Sequence, residues 1–163
     1  MSGAGLNYAT YANYNAVGQP GTITYGNGVT TTYQYYALNN RPQSIVTESA
    51  SQKFIDLSYH YYSVGNISEA GSLKDIVDNV TSARTQSFQY DGLDRIQQAQ
   101  SSGYGGNGVL WYDYSTIGNL KLKEGVTYEY AGPKPHAVTS TSNGMTFTYD
   151  DNGNMTSDGI RTI

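Results

Sequence analysis

Two histidines, a handful of paired acids, one glycine-rich loop and one aromatic cluster are the residues of this chain that could do chemistry. His60 and His136 stand in different parts of the sequence, with no nucleophile pattern beside either and no second metal ligand at suitable spacing. A structural role is the expectation for both. His60 lies between Tyr59 and Tyr61, so in a strand it faces away from them. Asp150-Asp151-Asn152-Gly153-Asn154 has the outline of a calcium loop, but the terminal Glu of such a loop is missing. Turn chemistry accounts for it more simply, because Asp and Asn side chains bond the turn backbone. Asp91 and Asp94 also sit at a turn, with nothing to mark them as glycosidase acids. Gly103–Gly108 reads G-Y-G-G-N-G and is followed by Val109-Leu110-Trp111-Tyr112, a strand-like run rather than the helix a phosphate cradle needs. Trp111, Tyr112 and Tyr114 remain as aromatic rings that could stack on a sugar.

These residues sit on elements that recur. Phe147 and Tyr149 share one face of a strand, Asp150 to Gly153 reverses the chain, and Met155 opens the return strand. The same hairpin is written at Tyr14, Tyr36, Tyr61, Tyr90, Tyr114 and Tyr149. Four residues after each come Gly18, Asn40, Gly65, Asp94, Gly118 and Gly153, the residue types that accept left-handed geometry. A polar and then usually an apolar residue follows: Gln19-Pro20, Arg41-Pro42, Asn66-Ile67, Arg95-Ile96, Asn119-Leu120 and Asn154-Met155. Tyr33/Tyr35 and Tyr128/Tyr130 form aromatic pairs of the same kind as Phe147/Tyr149, and Tyr128-Glu129-Tyr130 marks a degenerate copy. Self-similarity at this spacing signals a repeat architecture.

The pattern Y-D-x-x-G-[NR]-[ILM], clearest at Tyr149–Met155 and looser at Tyr90–Ile96, resembles the YD repeat of RHS proteins. Tyr25–Tyr33 and Pro135–Ser140 are similar to phrases of the same repeat regions. The resemblance runs from about Tyr11 to the end, although only Tyr90 and Tyr149 among the anchors are followed directly by Asp. It implies a sheet that winds into a hollow shell outside the cell, enclosing or presenting a toxin polypeptide. It also brings a suspicion of carbohydrate binding, with Trp111, Tyr112 and Tyr114 as the stacking residues. Tyrosines that follow the repeat, however, are the expected glue of the sheet, each cross-strand aromatic pair contributing roughly 0.2–1 kcal/mol.

Composition agrees with a thin β layer. The chain has 17 Tyr and 19 Gly but 3 Phe and 1 Trp, so a thick aliphatic core is hard to build. A net charge of −4 without a basic cluster argues against nucleic acid. Cysteine is absent, so no disulfide framework or thiolate metal site exists. No apolar run suits a membrane span, and Met1–Leu6 does not read as a signal peptide. Sequons fall at Asn66, Asn79 and Asn154, where glycosylation is open.

The expected fold is therefore all-β: repeated antiparallel hairpins forming a curved, extended sheet, part of a spiral shell or an open-ended stack. Residues 1–10 are read as a flexible lead and 11–163 as the repeat region, incomplete at its C-terminal end. Leu73–Val80 fits a helical stripe, but Asp78-Asn79 and the repeat favour strand then turn. Gly159–Ile163 reads as the start of a strand. Neither enzymatic activity nor a cofactor is expected. The partners implied are further RHS repeats or copies of the chain itself through open strand edges, an enclosed toxin, and glycans. The location implied is extracellular or at the cell surface.

Overall fold

The computed structural model describes residues 8–65, 69–104 and 106–162. Asn66-Ile67, the Asn66 sequon, Gly105, Ile163 and most of the expected lead fall outside them. The described residues are strands and turns, with one short 3₁₀ turn at Ser82–Arg84. The expected hairpins form, and the ambiguous segment is a strand, Leu73–Asp78. At the start, the first strand already begins at Ala9, inside the segment read as a lead. At the end, the expected strand gives way to a turn over Asp158–Arg161, after which Thr162 bridges back to Ser157.

Two units are distinguished: Met1–Phe88 with Gln100–Gly108, and Gln89–Ala99 with Val109–Ile163. The first holds β1 (Ala9–Ala12), β2 (Thr22–Tyr25), β3 (Thr30–Tyr35), β4 (Pro42–Glu48), β5 (Lys53–Tyr61), β6 (Leu73–Asp78) and the start of β7 (Gln86–Tyr90). They pair antiparallel in chain order, each strand beside its sequence neighbours. The pairing stays in phase across the strands, which sorts the side chains into two sets. Tyr11 faces Ile23 and Ile23 faces Thr31; Tyr33 faces Ile45 and Ile45 faces Leu57; Tyr59 faces Ile76. The other face carries Thr22 opposite Thr32, Thr24 opposite Thr30, Ser44 opposite Ser58 and His60 opposite Asp75. The sequence alternates apolar and polar residues with period two, and the pleat turns that alternation into one tyrosine–aliphatic face and one hydroxyl-rich face.

The second unit orders β8 (Ile96–Gln100), β9 (Val109–Tyr114), β10 (Leu120–Lys123), β11 (Val126–Glu129) and β12 (Ser140–Thr141) in the same way. A separate hairpin joins β13 (Thr148–Tyr149) to β14 (Met155–Ser157).

Neither unit folds over a thick core. Among the described apolar side chains only Ile23 and Ala99 are buried, and the chain exposes 10848 Å². A compact chain of this length would expose about 7,900 Å². The sheet is a single layer, as the sparse aliphatics imply. Hydrogen bonds and half-buried tyrosines must therefore supply what a core supplies elsewhere.

The turns set the register. All six turn positions have positive φ: Gly18, Asn40, Gly65, Asp94, Gly118 and Gly153. Gly118, at φ 89°, has no neighbour within 4 Å of where a Cβ would stand. Gly118→Ala is accordingly expected to destabilise by about 1–2 kcal/mol through backbone strain alone. Urea denaturation followed by Trp111 fluorescence measures this, and a loss under a few tenths would show the turn to be relaxed.

Candidate functional site

The recurring site of this protein is a latch between neighbouring hairpins, built from the tyrosine that ends one strand. Tyr35 Oη donates to the Pro20 carbonyl (3.0 Å), Tyr61 to Pro42 (3.2 Å), Tyr114 to Ile96 (3.1 Å), Tyr130 to Leu120 (3.0 Å) and Tyr149 to Val138 (2.9 Å). Pro20, Pro42, Ile96 and Leu120 are the residues two places after the preceding left-handed turn position. The apolar residue that recurs there lends its carbonyl to the next repeat. Two more tyrosines reach the other way, Tyr36 Oη to the Tyr59 carbonyl and Tyr62 Oη to the Phe88 carbonyl, both at 2.9 Å.

This geometry refines one assignment. Tyr36 is read from the sequence as the second anchor, yet Tyr35 makes the latch equivalent to those of Tyr61 and Tyr114. Its turn is one residue longer: Tyr36 N–H donates to Arg41, five residues on, where Asp91, Ser115 and Asp150 each donate to the fourth. Counting back four residues from Asn40 therefore lands one place late. At the first repeat, Tyr14 lies two residues past β1, has no hydroxyl partner among the described residues and is 56% exposed.

The residue after the tyrosine holds the turn. Asp91 Oδ1 accepts from the N–H groups of Leu93 and Arg95, at 2.9 and 3.1 Å, and its Oδ2 from Arg95 Nε at 2.7 Å. Asp150 accepts from the Asn154 N–H and Nδ2 at 2.8 and 2.9 Å. Asn15 accepts from Val17 and Gln19, and Ser115 from Asn119. The Asp150 oxygens thus point into their own turn, which answers the calcium outline. Among the described residues no group of three or more His, Asp or Glu could hold a metal ion.

The residue after the turn then links both parts. Arg95 pairs with Asp91 and lays its guanidinium 4.4 Å over the ring of Tyr114, the tyrosine latched to Ile96. Arg41 lies 5.0 Å over the ring of Tyr61, which is latched to Pro42. Y-D-x-x-D-R at Tyr90–Arg95 is therefore one device: the acid fixes the turn and the arginine, and the arginine stacks on the tyrosine that bonds the next carbonyl. Sequence reading found the pattern but missed the arginine's target, which lies in the following repeat.

The acids and tyrosines of this device carry shifted pKa values. Arg95 bonding holds Asp91 below the usual carboxylate range, and Asn154 does the same for Asp150. At the last turn, hydrogen bonds from the Arg161 N–H and guanidinium hold Asp158 at about 2. Burial pushes Tyr36, Tyr61 and Tyr130 up. A carboxylate lowered by folding contributes stability that is present above its unfolded value near 4 and lost as pH falls through the folded value. A tyrosine raised by folding contributes stability present below about pH 10 and lost as pH rises through its folded value. Urea midpoints should hold level near neutrality, fall from about pH 4 toward 2, and fall again above about pH 10. Midpoints that stay flat down to pH 2 would show that the acids titrate as in the unfolded chain.

The remaining candidates are dispersed. His60 Nδ1 lies 2.5 Å from Asp75 Oδ1 across the β5–β6 pair, and His136 Nδ1 lies 2.6 Å from Asn119 Oδ1. Asn119, buried, also donates to the Pro135 carbonyl, so His136 fastens a loop. Asp94 takes the left-handed turn place at φ 58°. Asn79 donates to Asp56 and Ser58. Trp111 and Tyr112 alternate along β9, so Tyr112 and Tyr114 share a face that Trp111 does not. Tyr112 donates to Glu124 (3.0 Å) and Tyr114 is latched under Arg95, while Trp111 is 49% exposed. The three rings do not form one platform. An open groove of about 630 Å³ runs past Ser115, Lys121, Tyr128, Tyr130 and Pro133 in the second unit.

No protein-family model matches the chain, and no curated protein does. Solved structures do. The TcdB2-TccC3-TEV chain superposes with a TM-score of 0.60 over 92% of this chain, at 16% identity. The fold is that of a stretch of the TcdB2-TccC3 chains. TcdB2-TccC3 without its hypervariable C-terminal region superposes with a TM-score of 0.54 over 87%, at 21% identity. The present chain spans 10% and 7% of the length of these two. This likeness agrees with the resemblance to YD repeats.

Proposed function

We propose that the chain is a non-catalytic stretch of RHS-type repeat wall, working outside the cell to enclose or present a toxin polypeptide. The observation that carries this reading is the latch. The same tyrosine-to-carbonyl bond recurs hairpin after hairpin, and the acids beside it bond turn backbone rather than facing a cleft. A wall needs strands joined edge to edge without a second layer, and that is how both units are built. The likeness to toxin-complex chains supports the same reading.

A graft tests it. Residues 9–157 replace the matched stretch of TcdB2-TccC3, and limited proteolysis then probes that protein's hypervariable C-terminal region. A folded graft that protects the region as the parent does is the expected result. A folded graft that leaves it open to protease would overturn the reading.

A further inference from the structure

One kind of side chain recurs in the turns without being needed to form them. Val17, Val64, Leu93 and Ile117 each stand just before a left-handed position, and Leu38 takes the equivalent place in the longer turn after Tyr36. All five are more than half exposed. Aliphatic side chains scattered singly over a surface need no explanation, but their return at one place in successive turns does.

In the second unit two of these tips share a rim with a groove. Leu93 tops the β7–β8 hairpin and Ile117 the β9–β10 hairpin, and the Tyr114 latch to the Ile96 carbonyl ties together the strand ends beside those turns. Past Ile117, between its turn and the loop that follows Tyr130, runs the open groove of about 630 Å³. Ile117, Tyr128, Tyr130 and Pro133 give it apolar walls, and Lys121 brings a positive charge. Leu93 is 73% exposed and is flanked in its turn by Asp91 and Asp94. Its N–H already donates to Asp91 Oδ1 at 2.9 Å, so the tip can leave water without stranding that donor.

We propose that this rim is an interface between two copies of the chain, with Leu93 of each copy seated in the groove of the other. The groove takes an aliphatic tip that carries acids beside it, and the same rim supplies such a tip. A two-fold axis across the rim therefore presents knob to groove twice over, with nothing needed from a different protein. Charge selects the same contact. The chain has a net charge of −4, so two copies repel each other in general, whereas here Lys121 of one meets the acidic turn of the other. Such an interface is isologous and closes at the dimer.

Sedimentation velocity of the 163-residue chain over a range of concentrations tests this, with Leu93→Ser as the probe and Leu38→Ser, at the most exposed tip of the first unit, as the control. Both substitutions fall on exposed turn tips, and far-ultraviolet circular dichroism confirms that the variants are folded. The expected result is a monomer–dimer equilibrium in the wild type and the control, with dimerisation about a hundredfold weaker in Leu93→Ser. Each copy brings one leucine, so a loss of about tenfold is felt twice. Ile117→Ser, which strips the groove wall, should weaken the dimer in the same direction. A wild type that stays monomeric to millimolar concentration would overturn the proposal and leave the rim to a partner other than a copy. Masses that climb past the dimer would overturn it too, as would a folded Leu93→Ser that dimerises as tightly as the wild type or a Leu38→Ser that weakens the dimer equally.

Discussion

Tyr61→Ala is expected to destabilise the first unit by about 3 kcal/mol, the largest loss for any single tyrosine in that unit. Three contacts disappear with the ring. It stands edge-on to Tyr36, at a centroid distance of 5.9 Å and an interplanar angle of 81°, a geometry that contributes roughly 0.5–1.5 kcal/mol beyond area. Arg41 lies over its face at 5.0 Å, adding roughly 0.5–1 kcal/mol at a partly exposed place. Half-burial of the ring itself supplies about 2 kcal/mol more at the usual coefficient per area. Partial collapse of the neighbours recovers part of this total. Tyr61→Phe keeps the ring and loses only the hydroxyl bond to Pro42, so about 1 kcal/mol is expected. Tyr14→Ala, without any of these partners, should change stability by less than about 0.5 kcal/mol. Urea titrations followed by far-ultraviolet circular dichroism separate the three. Equal losses for Tyr61→Ala and Tyr14→Ala would mean that the latches hold nothing together.

Gly21→Ala should cost as much for a different reason. A Cβ there would stand 2.5 Å from the Asn13 carbonyl oxygen and 3.1 Å from the Asn13 Cβ. The obstacle is backbone, fixed because the Gly21 N–H donates to both Ala12 and Asn13 carbonyls. Relief requires β1 to move away from the start of β2, so about 3 kcal/mol is expected, at the upper end of ordinary overpacking. Gly71 repeats the arrangement, its Cβ position lying 2.7 Å from the Tyr62 carbonyl oxygen, and Gly71→Ala should behave alike. Gly118→Ala is the informative comparison: there the methyl has room and only the torsion resists. A Gly21→Ala loss no greater than that of Gly118→Ala would show that β1 yields easily at its end.

Much of the fold was legible because hairpins write themselves locally. Positive φ favours Gly, Asn or Asp, so the six turn positions could be read from residue type at a fixed distance from tyrosine. Strand pairing in chain order then followed from short connections. What stayed hidden was whatever depends on a partner one repeat away. Nothing in Arg95 announces that its guanidinium lies over Tyr114, or that Ile96 is there for its carbonyl as much as for its side chain. The Tyr35-Tyr36 doublet offered two candidates for one place, and a turn lengthened by one residue decided between them. The opposed faces of Trp111 and Tyr112, in contrast, follow from the period of a strand. Gly21 and Gly71 carry no local signal, because their constraint is the close pass of a backbone segment eight or nine residues earlier.

Each latch ties one hairpin only to the hairpin next to it. With no shared core, the free energy of such a chain approximates a sum of repeat terms and neighbour terms, so cooperativity has a short reach. Lengthening the wall then asks only that a new hairpin bring one tyrosine for the carbonyl before it and one carbonyl for the tyrosine after it. That is why latch tyrosines can stand 16 residues apart, as Tyr114 and Tyr130 do, or 26, as Tyr35 and Tyr61 do, while the bonding stays the same. Extra residues gather in loops such as the one between Tyr130 and Val138. A gene for such a protein can gain or lose whole hairpins by duplication and deletion, with each new joint already specified by the old ones.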